Sequence, residues 1–172
     1  LIYSSLFILL IGIPHGAIDH ILLFRKREMS QLTFYGIYIG LIISFVLLWH
    51  ITPVISLLFF LLISAFHFGE SQFSDISFKK ILRYSFYFFW GLCLLSSLMF
   101  YNINELYEIT SFFDDTIILE RVYNKETISI FFYLTNLITI GSILTLLLKK
   151  KINKDRFFSE LFLLFLIHIT FF

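Results

Sequence analysis

Six apolar runs, each near the length of a bilayer crossing, leave this chain few folds to choose from. They cover residues 1–24, 32–49, 53–73, 84–101, 128–148 and 157–172. A spanning helix needs about 20 mostly apolar residues. With 59% hydrophobic residues and only 15% charged ones, 172 residues could not keep their apolar surface from water as a soluble domain. The expected fold is all-α: a polytopic transmembrane helix bundle with about six spanning helices. It reads as a single integral-membrane domain over residues 1–172, with the expectation that the protein continues at both ends.

Charge supplies the orientation. Eleven of the thirteen lysines and arginines fall in three alternate loops, as Arg25–Arg27, Lys79–Arg83 and Lys149–Arg156. Residues 102–127 are instead rich in carboxylates. The positive-inside rule puts the three basic loops in the cytoplasm. Within the acidic loop, Asn104-Glu105 before Leu106-Tyr107 is a faint helix start. A net charge of +1 gives no reason to expect nucleic acid as a partner. Cys93 is the one cysteine, which excludes an internal disulfide and a cysteine metal cluster, and it reads as a small core residue.

Against this apolar background two short stretches stand out. They are Gly12-Ile13-Pro14-His15-Gly16-Ala17-Ile18-Asp19-His20 and Ser64-Ala65-Phe66-His67-Phe68-Gly69-Glu70. Ionisable groups inside a membrane are rare and tend to line a site or a pathway. Pro14 is expected to kink its helix and free a carbonyl near His15. By rise per residue, His15 lies roughly 13 Å and His67 roughly 9 Å from the cytoplasmic ends of their runs. Both imidazoles therefore belong to one half of the membrane at similar depth. Two histidines on different helices at one level are suited to share a metal. Asp19 follows His15 by four residues and Glu70 follows His67 by three, so each carboxylate shares its histidine's helix face. Asp19 and Glu70 suit the carboxylate that orients a ligating ring, or direct ligation.

Blander readings stand beside these. One intramembrane histidine next to a carboxylate is often just a helix–helix hydrogen bond, but two at matched depth favour a site. His20 points away from His15 and reads as interfacial or structural. His50, beside Trp49, reads as an interfacial pair. His168 falls inside the sixth run and stays ambiguous. The 24 phenylalanines and 9 tyrosines are more simply lipid-facing packing than a substrate groove.

On these residues the chain resembles the Brp/Blh family of bacterial and archaeal membrane proteins. The family's Pro-His-Gly-Ala-x-Asp stretch is matched by Pro14-His15-Gly16-Ala17-Ile18-Asp19, and its His-Phe-Gly by His67-Phe68-Gly69. The motif-bearing likeness covers about the first 75 residues; beyond them it is one of hydropathy and topology. The resemblance implies oxidative cleavage of the central double bond of beta-carotene by dioxygen, giving retinal, in a prokaryotic cell membrane. It implies Fe(II) as cofactor, with His15 and His67 as metal ligands and aromatic side chains around the polyene. Two further ligands are implied in a His-x-x-x-His pair on a later helix. This sequence holds no such pair, so the expectation is a partial iron site. A second reading is a proton or metal-ion transporter using His15, Asp19, His67 and Glu70; tightly bound iron would favour the enzyme and ion flux the transporter. A non-catalytic membrane scaffold is a third class. A retinal-binding opsin is disfavoured, because every lysine lies in a loop. Oligomeric state is not legible.

Overall fold

The computed structural model describes residues 30–76, 79–110 and 124–171. Every regular element among them is a helix: α1 Gln31–Ile51, α2 Pro53–Phe73, α3 Lys80–Tyr101, α4 Ile103–Thr110, α5 Lys125–Leu148 and α6 Lys154–Phe171. Among the described residues three helices, at Pro53–Phe73, Ile81–Tyr101 and Lys125–Leu148, are long and apolar enough to cross a membrane. The chain divides into two compact units, 1–51 and 52–172.

In the first unit the described helix is α1. Ser30 opens it, its hydroxyl accepting the Thr33 amide at 3.2 Å as an N-cap does. Apolar side chains stand exposed on every side of α1, with Ile37, Leu41 and Val46 among them. A helix apolar all round requires an apolar environment to cover it.

In the second unit α3 is the central element, packed on α2, α5 and α6. Local chemistry sets the helix starts. Pro53 occupies the first turn of α2, where its missing N–H costs nothing. Asn124 caps α5, its side-chain oxygen accepting the Thr127 amide at 2.7 Å. Asn153 does the same for α6, accepting the Arg156 amide at 2.8 Å. The starts at 125 and 154 thus precede the apolar runs by about a turn. Hydropathy sees the apolar stretch, whereas capping adds a polar first turn. The faint helix start in the acidic loop corresponds to α4.

Two interiors hold the unit together. The larger joins Phe73 of α2 with Phe86, Tyr87 and Trp90 of α3, Ile143 of α5 and Leu164 of α6. Phe73 meets Phe86 edge-on at 4.6 Å, and the Tyr87 hydroxyl donates to the Phe73 carbonyl at 2.9 Å. At the other end Phe100 stacks on Phe132 at 4.2 Å. Between the two interiors runs a buried polar seam: Ser96 and Thr135 share a hydrogen bond at 2.7 Å, and Thr139 donates to the Phe89 carbonyl. Such interhelical bonds hold apolar helices in register, because lipid tails are as apolar as leucine and exert no hydrophobic drive between helices.

Closest of all is the contact between α2 and α3. A methyl at Gly69 would fall on the Tyr87 carbonyl, and one at Gly91 on the Ala65 carbonyl. Ala65 and Gly69 form a small-xxx-small pair that lets the two backbones touch.

The two basic loops among the described residues meet at one end of this unit. Lys79 shares a cavity with Lys149 and Lys151, and Arg156 reaches the last turn of α2.

Candidate functional site

The second histidine motif lies on α2, and its helical period divides it in two. Ala65 and Gly69 are buried against α3, and Phe66 packs edge-on to Tyr84 and Tyr87 at 5.7 and 6.1 Å. His67, Phe68 and Glu70 are exposed. His67 is two residues from both Ala65 and Gly69, about 200° around the helix. It therefore stands on the side of α2 turned away from α3. Glu70, one turn on, shares that side. Phe60 and Ile63, two turns and one turn before His67, are exposed on it too. The result is a lengthwise stripe carrying a histidine, a carboxylate and apolar surface, exposed on the side of α2 away from α3.

His15, Asp19 and His20 lie outside the described residues. Among the described residues no three histidines, cysteines or carboxylates gather as a metal site would require. The single donor pair on the α2 stripe, His67 with Glu70, is chemically right for holding and orienting one imidazole ligand. By themselves the two are too few donors to hold a metal ion.

His168 is placed elsewhere. Its ring lies 5.9 Å from Tyr101 and 5.5 Å from Phe132, at the opposite end of the unit from the Phe66–Tyr87 cluster beside His67. Its Nε2 lies 3.1 Å from the Asn136 side-chain oxygen. That oxygen has no proton to give, so Nε2 is the donor and the ring is held in one tautomer. The Cys93 thiol donates to the same oxygen at 3.3 Å, and the Asn136 amide donates to the Phe132 carbonyl at 2.9 Å. In this order asparagine stands between thiol and imidazole, so the histidine cannot deprotonate the cysteine directly, and Cys93 is a buried core residue as expected. His50 is exposed at the end of α1.

Sequence reasoning missed a second polar cluster. Glu160 of α6 is 2% exposed. Arg156 Nε lies 2.8 Å from its carboxylate, and the Gln72 amide donates to both carboxylate oxygens at 3.1 and 3.0 Å. Arg156 also donates to the Gln72 carbonyl at 2.9 Å and covers the Phe73 ring. The guanidinium thereby satisfies a last-turn carbonyl of α2 and clamps that end to α6. The signal was legible: Glu160 is an ionisable group inside an apolar run, with a basic residue four positions earlier. Glu160→Ala is expected to destabilise the unit by about 2 kcal/mol, because it removes the carboxylate that Arg156 and Gln72 share, while Arg156 keeps the Gln72 carbonyl and Asp75 and regains some solvation. Denaturant unfolding in micelles checks it; wild-type stability would show that the clamp carries no weight.

The sequence, compared with those of known proteins, has relatives. A beta-carotene 15,15'-dioxygenase from Uncultured marine bacterium 66A03 is 40% identical over 72 residues. That match takes in 39% of this chain and 26% of the relative's length. No solved structure matches. The sequence model of the family described as beta-carotene 15,15'-dioxygenase matches residues 6–172, nearly the whole chain. On that match, the chain belongs to the beta-carotene 15,15'-dioxygenase family.

Proposed function

We propose that the protein containing this chain cleaves beta-carotene at its central double bond with dioxygen, giving retinal, inside a prokaryotic cell membrane. The observation that carries this reading is the family match over residues 6–172. The stripe on α2 supports it. A polyene dissolved in the bilayer can reach an intramembrane site directly, and Phe60 and Ile63 offer it apolar surface along the line that leads to His67. The full architecture is a polytopic bundle of about six spans, with the basic loops cytoplasmic; the apolar helices and the meeting of two basic loops at one end favour it.

In this reading His15 and His67 hold Fe(II), each through one neutral imidazole nitrogen. Bound iron would supply the redox chemistry that activates dioxygen. Glu70 accepts the remaining ring N–H of His67, or fixes the ring through a water, and Asp19 serves His15 in the same way. The aromatic side chains confine the polyene and keep water from the reacting bond. Ala65 and Gly69 contribute indirectly, since their tight packing on α3 fixes the angle at which His67 leaves the helix.

Expression of the complete protein in beta-carotene-producing cells tests the function. The expected result is loss of carotenoid with formation of retinal. Persistent carotenoid at normal protein levels would reject the dioxygenase reading for this member.

A further inference from the structure

One cavity belongs to neither the histidine stripe nor the buried polar clusters. It occupies about 550 Å³ between α3 and α5. Its rim carries Lys79, Lys149 and Lys151, and its walls are chiefly Phe86, Phe89, Ile138 and Leu146. Of the three hydroxyl side chains that line it, those of Ser85 and Thr145 bond carbonyls of their own helices, and Ser142 is the third, so the walls between rim and floor are mainly apolar.

Depth identifies what fits. Phe89 lies ten residues along α3 from Lys79, and Ile138 lies eleven along α5 from Lys149. Each is about 15 Å at the helical rise, which is half of a ~30 Å hydrocarbon core. The groove thus runs from a basic rim to the depth of one leaflet. A soluble anion would use the rim and leave the groove unfilled. A zwitterionic lipid would fill the groove and gain little from three ammonium groups.

The rim is shaped by an unusual turn. Lys150 has φ 53°, the left-handed conformation that ordinarily calls for glycine after a helix. Its amide bonds to the Leu147 carbonyl and that of Lys151 to the Leu146 carbonyl, closing α5 and turning Lys151 back toward the rim. Lysines after a helix C-terminus also complement its dipole. That accounts for Lys149 and Lys151 but not for Lys79, at the start of α3. No side chain caps that helix start among the described residues. No ion pair among the described residues engages the three lysines.

We propose that this cavity is a binding site for an anionic phospholipid of the cytoplasmic leaflet, with the phosphate among Lys79, Lys149 and Lys151 and one acyl chain in the groove. It rests on the membrane reading above and adds a ligand which that reading does not require. Basic clefts between spanning helices on the cytoplasmic side are suited to such headgroups.

The test uses the full-length protein reconstituted with spin-labelled lipids. Phosphatidylglycerol is expected to be motionally restricted in preference to phosphatidylcholine, with the preference falling as salt is raised. Each of Lys79→Gln, Lys149→Gln and Lys151→Gln is expected to reduce that preference about fivefold. Ile138→Trp, which fills the groove and leaves every charge, is expected to release the restricted phosphatidylglycerol. Equal restriction of the two lipids, or a preference untouched by the lysine variants, overturns the proposal. So does displacement of the lipid by inorganic phosphate at modest concentration, which would mark the rim as a free-anion patch. Native mass spectrometry of the wild type covers the case of a variant that fails to fold: absence of co-purified phosphatidylglycerol then counts against the site. Failure of the protein to enter bilayers at all would instead overturn the membrane reading.

Discussion

Gly91→Ala is expected to force α2 and α3 apart and to cost about 3 kcal/mol, the upper end for overpacking a tight interior. The added methyl would meet the Ala65 carbonyl, a backbone atom held in the ladder of its own helix. Side chains can rotate away from an intruding methyl; a helical carbonyl moves only with its helix. Gly69→Ala should behave alike, since its methyl would meet the Tyr87 carbonyl on the facing strip. Because the two glycines serve one interface, the double variant should cost less than the sum of the singles. Gly141 is the control. It is also mid-helix, but a methyl there meets nothing within 4 Å, so Gly141→Ala should be neutral or slightly stabilising through helix propensity. Unfolding of the three variants in the same micelles is the measurement. Matching midpoints for Gly91→Ala and wild type would mean that the helices do not approach this closely.

How far the sequence could be read depends on the range of the physics involved. Apolar runs are local, so the helix at 53–73 has the bounds that hydropathy predicts, and α3, α5 and α6 differ from their runs only by the polar turns at their starts. Caps are also local, and Asn124 and Asn153 could have been read. Partnerships between distant residues could not. Gln72 and Glu160 are 88 positions apart, and Asn136 and His168 are 32 apart; nothing in either neighbourhood specifies the other. The exposed placement of His67 and Glu70 was half legible. Their i,i+3 spacing put them on one face, but which face meets α3 is decided by Ala65 and Gly69, whose small size matters only once Tyr87 and Gly91 are opposite them. His15, Asp19 and His20 lie outside the described residues, so the shared depth of the two motifs rests on the sequence alone.

His67→Ala is expected to cost less stability than Gly69→Ala and to abolish both iron retention and retinal formation in the complete protein. Two residues of one motif have separable roles. Gly69 is buried at the α2–α3 contact, while His67 is exposed on the other side of the same helix. A substitution at an exposed position usually costs far less stability than one inside a packed helix contact. Loss of a metal ligand is far more costly to function: an outer partner alone is worth about 10–100-fold in affinity or activity, and a direct ligand more. Turnover in His67→Ala should therefore fall more than about 100-fold, and Glu70→Gln should show a partial loss within the outer-partner range. Gly69→Ala should show the reverse pattern, lower stability with iron retained by whatever fraction stays folded. Measuring iron content, retinal yield and unfolding midpoint on the same three preparations distinguishes the roles. Full iron content with full turnover in His67→Ala would remove the residue from the ligand set. Lost turnover with iron retained would move His67 from the metal to the substrate, with the exposed side of α2 still the face where the chemistry occurs.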